Sequence, residues 1–295
     1  MAILVAAVFW TFLWGPIGLV LSTPLTLCLV VLGRHIPNMG FLNVLLGDEP
    51  VLAPEVQYYQ RLLATDHVEA RQVLEFHLKE KSIEELYDGV VIPALSMAEQ
   101  DRHRNDLDEE AATFIYQSTR EFVEGLSAKC FEGAPDTSNN SAATAPAKRV
   151  SVICVPASGE ADEIACLMLA QLLRFAGHQV KCVSIGTVEE MLTEAEKAQP
   201  CIVCISSIPP LAVTHARAIY SRLRSKFATE SIIVGLWNYT GDITRTADRI
   251  GATENARVLT TLAEAVLQVK IATELAKKAA QPPTVAAVPS VRESH

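Results

Sequence analysis

The sequence predicts three tiers of structure: a membrane anchor helix, an α-helical bundle, and a C-terminal α/β domain built on a doubly wound parallel sheet. Three observations predict them. Residues 2 to 33 contain no Asp, Glu, Lys, Arg or His. Apolar residues recur at helical spacing from Glu55 to about Leu126. From Arg149 onward, β-rich runs alternate with helical ones. A chain of 295 residues has length for about two domains besides an anchor.

The anchor comes first, over residues 1–35. Its uncharged run of 32 residues exceeds the roughly 20 that a helix needs to cross a bilayer core. Gly15-Pro16 and Pro24 interrupt it, and proline removes a backbone donor and kinks or ends a helix. Two arrangements follow: a spanning helix broken near Gly15-Pro16, or a short re-entrant piece followed by a helix from Ile17 to Val31. A secretory signal is excluded, because no charged side chain precedes Arg34 and the apolar run is too long. Arg34 and His35 follow directly, which places the rest of the chain in the cytoplasm. The expected location is therefore the inner or plasma membrane, with the lipid bilayer as a partner. One span cannot enclose a transport path. Either the chain assembles with itself or with other spans, or Met1 is an internal start within a longer protein.

The bundle is expected over 41–130. Tyr58, Leu62 and Leu63, then Ala70, Val73, Leu74, His77 and Leu78, mark the first helices. Ser82 with Glu85 three residues later forms a capping box. That helix is expected to reach Ala98, kinked at Pro93. Asp108 is expected to cap a last helix bearing Ala112, Ile115, Phe122 and Val123. Arg102-His103-Arg104 between them reads as a solvated basic turn. Residues 131–148 lack hydrophobic period and read as a flexible linker, and 279–295, with three prolines, as a disordered tail.

The α/β domain is expected over 149–278, with strands near 150–155, 180–185, 201–206, 231–235 and 257–259. In such sheets ligands lie beyond the carboxyl ends of the strands. The candidate ligand-binding residues there are Ser158, Glu160, Asp162, Ser206, Ser207, Gly235 and Asn238. No G-x-G-x-x-G follows the first strand and no P-loop occurs, so dinucleotide and triphosphate binding are not expected. Seven scattered histidines give no zinc spacing, and no nucleophile, base and orienter can be assembled. The expectation is no catalytic residue, no metal and no enzymatic activity. A net charge of -9 disfavours nucleic acid as a partner. The seven cysteines, odd in number and mostly in apolar runs, suit reduced thiols better than a disulfide framework. Cys201 and Cys204 are formally C-x-x-C, but in a strand-like run they point to opposite faces.

Two resemblances follow from these residues. The run Phe9-Trp10 through Trp14-Gly15-Pro16-Ile17-Gly18, then Pro24 to Arg34, resembles the end of the autoinducer-2 exporter-like (AI-2E) permease family. Leu45-Leu46-Gly47-Asp48-Glu49-Pro50 and Tyr58-Tyr59-Gln60-Arg61-Leu62-Leu63 resemble the cytoplasmic continuation of some members. This implies a transporter-class protein with a cytoplasmic regulatory domain, of which the chain would be the final part. The second resemblance is to cobalamin-binding modules, a helical cap followed by a Rossmann-like domain. It rests on Ser206-Ser207-Ile208, on Ile232-Ile233-Val234-Gly235, and on Ile250-Gly251-Ala252 before the last helix. It implies a membrane-tethered sensor of cobalamin or another small ligand. The family motif Asp-x-His-x-x-Gly falls on Glu160, Asp162 and Ala165, so the cobalt-ligating histidine and the glycine beneath the corrin are replaced. The cap also lacks the family's tryptophan, and its last helix has no histidine. The expectation on that motif is no bound cofactor, with cobalamin as the cofactor the resemblance would otherwise imply.

Overall fold

A computed structural model describes residues 2–18, 20–22, 52–131, 151–198, 202–227, 231–252 and 256–280. The chain divides into two compact units, Met1–Ala53 and Pro54–His295. In the first, α1 (Ala2–Trp14) is uncharged throughout and apolar except at Thr11. It ends at Gly15, whose φ of 64° is left-handed backbone that glycine adopts without strain. Thirteen residues of helix are about 20 Å long, short of the roughly 30 Å hydrocarbon core. No helix among the described residues is long and apolar enough to cross a membrane. The break near Gly15-Pro16 lies where both sequence arrangements place it, and the helix expected from Ile17 to Val31 falls mostly outside the described residues. Residues 23–51, the linker from 132 and the tail from 281 lie outside the described residues, while residue 131 and residues 279–280, expected as linker and tail, end helices.

The second unit begins with a helical cap: α2 (Pro54–Leu63), α3 (His67–Glu80), α4 (Ile83–Leu86), a π turn (Tyr87–Val91), α5 (Ile92–Arg104) and α6 (Glu109–Phe131). Ser82 and Glu85 form both halves of the predicted capping box. Asp108 accepts from the Ala111 amide at 2.7 Å and starts α6 as expected. Pro93 does not kink a continuous α-helix. It has no amide to donate, and the turn before it widens so that Ile92 N–H reaches the Tyr87 carbonyl. Buried Leu62, Leu74, Leu86, Leu95 and Ile115 fill the cap interior, where Tyr58 and Thr119 share a hydrogen bond of 3.0 Å.

The α/β part alternates β1 (Ser151–Pro156), α7 (Glu160–Phe175), β2 (Gln179–Cys182), α8 (Val188–Ala198), β3 (Ile202–Ser207), α9 (Ala212–Lys226), β4 (Ser231–Leu236), α10 (Ile243–Ile250), β5 (Ala256–Leu259) and α11 (Leu262–Ala280). All four strand pairings are parallel, in the order β2-β1-β3-β4-β5. The period of two divides each strand between two cores. Val152, Cys154, Ile202, Cys204 and Ile233 pack with α7, α11 and the cap. Ile153, Val155, Val203, Ile205, Ile232 and Val234 pack under α8 and α9.

Polar ties join the cap to the α/β part. Asp88 of the π turn accepts from the Leu262 and Ala263 amides at 2.7 and 3.0 Å, capping α11 from outside its own sequence. Burial raises the Asp88 pKa, and these two bonds oppose the rise. The Tyr87 hydroxyl donates to Gln171, and Arg120 pairs with Glu163. Asp88→Ala removes a helix cap, a change that costs roughly 0.5–2 kcal/mol. A lowered urea midpoint is expected, and an unchanged midpoint would show that the tie contributes nothing.

Candidate functional site

Sheet topology locates the site before any side chain does. α7, after β1, lies on the cap side, and α9, after β3, on the other. Adjacent strands whose crossovers part in this way open a crevice at their carboxyl ends. A cleft of about 220 Å³ lies there. The end of α5 supplies Glu99, Arg102 and His103; the β1–α7 loop supplies Ser158, Gly159 and Asp162; Ile208 and His215 close the far wall.

Asp162 is buried, and both its carboxylate oxygens are engaged. Oδ1 accepts from the Ile208 amide at 2.7 Å and Oδ2 from the Ser158 amide at 2.9 Å. The side chain therefore clips the β1–α7 loop to the end of β3. Burial pushes its pKa up to about 7, against the pull of these amides and with Glu99 adding to the rise. Glu99 accepts from the Tyr116 hydroxyl at 2.8 Å and from Arg102 at 3.0 Å. That ion pair raises the Arg102 pKa. Burial lowers the His215 pKa, against Glu99. The cleft thus offers carboxylate, guanidinium and imidazole groups together. Among the described residues no cluster of three or more His, Cys, Asp or Glu could hold a metal ion.

Two predicted residues, Ser158 and Asp162, line the cleft. Glu160 is exposed on the first turn of α7 and does not line it. Asn238 is exposed, with a φ of 56°, and its amide donates to the Thr260 carbonyl. Ser206, Ser207 and Gly235 are buried and do not line it. Sequence reasoning missed Glu99, Arg102, His103 and His215. Arg102 and His103 are exposed, as expected, but they belong to the last turn of α5 instead of a loop and line the cleft. Cys154, Cys166 and Cys204 are buried free thiols, and burial pushes the Cys166 thiol up, which leaves it inert. Cys201 lies outside the described residues.

The cobalamin implied by resemblance can be tested on these atoms. At the position of the cobalt-ligating histidine stands Asp162, already committed to two backbone amides. Ala165, in place of the glycine, is fully buried in the core. A cleft of about 220 Å³ also falls below the roughly 300–1,000 Å³ of drug-sized ligand sites. These residues do not fit a corrinoid, and no step is assigned to one.

No family model and no curated protein sequence matches the chain. Solved structures do. A novel cobalamin-binding protein from Desulfitobacterium hafniense is 15% identical, with a TM-score of 0.36 over 73% of this chain and 97% of its own. The monomethylamine corrinoid protein of Methanosarcina barkeri is 13% identical, with a TM-score of 0.49 over 74% and 96%. The methanol:cobalamin methyltransferase complex of the same organism is 13% identical, with a TM-score of 0.36 over 79% and 86%. At these identities and scores the likenesses carry nothing about ligand or chemistry.

Proposed function

We propose that residues 54–280 form a small-ligand sensor module without enzymatic activity, tethered to a bilayer on its cytoplasmic side by the apolar N-terminal segment. One observation carries the reading: the cap and the sheet's switch point converge on a single cleft in which groups of opposite charge face the same space. A ligand there touches both layers, so its binding bears directly on cap docking. The ligand class that fits is a small polar molecule with both an acidic and a basic group. Support for the tether comes from Phe12, Ile17 and Val20, which are exposed, and from Arg34 and His35 after the apolar run. The transporter class gains no such support, since no family model matches.

The test follows the Ser158, Gly159 and Ile208 amide shifts of the full chain in detergent micelles. Amino acids, small carboxylic acids and, separately, hydroxocobalamin are titrated in. Saturable shifts with a small ligand are expected, with the corrin absorption spectrum unchanged at high micromolar hydroxocobalamin. A saturable corrin change would replace the small ligand by a corrinoid. No shift with any of these probes would sink the sensor reading.

A further inference from the structure

At the carboxyl ends of β3 and β4 the crevice is filled from within. Trp237, the first residue after β4, is fully buried. Its indole lies over Gly235, so that a Cβ at 235 would overlap the ring carbons Cζ2 and Cη2. Ser206 and Ser207, opposite Gly235 and Leu236 in the sheet register, are fully buried as well. The indole Nε1 finds no hydrogen-bond partner among the described residues, while the hydroxyls of Ser206 and Ser207 lie within reach of Cys166 and Asp162. A region built for packing alone would use an apolar ring at 237, because a buried donor without a partner is destabilising. Buried hydroxyls around a bulky aromatic are what a polar guest would meet if the aromatic were absent. Ligands of doubly wound sheets reach for this same place.

We propose that Trp237 is the specificity-determining residue of the module. It is a built-in bicyclic aromatic that fills the deep part of the crevice and confines ligands to the shallow cleft of about 220 Å³ beneath the cap. Ligands that must reach the ends of β3 and β4 are excluded by it. This inference rests on reading the cleft as a ligand site, and it fixes that ligand's size.

The experiment is chemical rescue in the full chain. Trp237→Ala opens a cavity the size of an indole, walled by Ser206 and Ser207, and such cavities take up free ligands of matching shape. Benzimidazole and indole are the probes. Saturable binding with a rise in Tm is expected for Trp237→Ala and not for the wild type. If Trp237→Ala folds only in the presence of benzimidazole, that dependence is itself the expected rescue. Trp237→Leu, which keeps more apolar volume, supplies a second variant, expected to accept single-ring imidazole and reject benzimidazole. Equal binding of benzimidazole by the wild type, or its absence from both variants and from refolding, would overturn the assignment. The readout lies in the variant's crevice and not in the upper cleft, so this inference and the sensor reading fail separately.

Discussion

Gly235→Ala is expected to destabilise the protein by about 3 kcal/mol, at the upper end of ordinary overpacking. The added Cβ would overlap the Trp237 indole. Neither side can yield easily. Gly235 sits in an inner strand, in register with Ser206 on one side and Leu259 on the other, so its backbone is fixed. The indole is fully buried. Trp237→Ala alone removes a large buried side chain and costs roughly 3–5 kcal/mol. In the double variant the added methyl group enters the space the indole has left. Gly235→Ala should then cost less than about 1 kcal/mol, a coupling well above the roughly 0.3–0.5 kcal/mol expected of independent sites. Urea denaturation of the four proteins measures it. Additive effects would show that Gly235 is present for some reason other than the indole.

The second large effect is pH-dependent. Burial raises the Asp162 pKa from 3.8 to about 7. The folded state therefore holds this proton more tightly than the unfolded chain does. Below pH 4 both states are protonated, and the group costs nothing. As pH rises from 4 to 7 the unfolded chain gives up its proton first, and stability falls. Above 7 the whole cost is present, on the order of 4 kcal/mol at 1.36 kcal/mol per unit. Asp162→Asn keeps an oxygen for the Ile208 amide and cannot ionise. Its urea-derived stability should fall less steeply than the wild type's between pH 4 and 7, and the difference between the two curves isolates this one group. Parallel curves would show that Asp162 is ionised at neutral pH, its charge met by the Ile208 and Ser158 amides.

Local rules made much of this legible. The capping box at Ser82, the cap at Asp108 and the five strands follow from hydrogen-bond geometry and periodicity within a few residues of each position. The π turn was not legible, since Pro93 announces a lost amide but not how the turn before it accommodates the loss. The cleft was half legible. The switch-point rule finds Ser158 and Asp162 but is silent on Glu99, Arg102 and His103, which arrive only when a cap more than fifty residues upstream docks. A signal for Trp237 was available and unused. Gly235 lies two residues before it, at the end of β4, and a glycine there leaves room for a ring that folds back over the strand.

The Asp88 tie to α11 also carries a consequence for how the protein is made. Its two bonds span 174 and 175 residues. At roughly 5–20 residues per second of synthesis, the cap leaves the ribosome about ten to thirty seconds before its last partner exists. The face of α5 and α6 destined for α7 meets that helix sooner, once Glu160–Phe175 has emerged. The Asp88 cap on α11 is then the last of these ties to form, after those to Gln171 and Glu163.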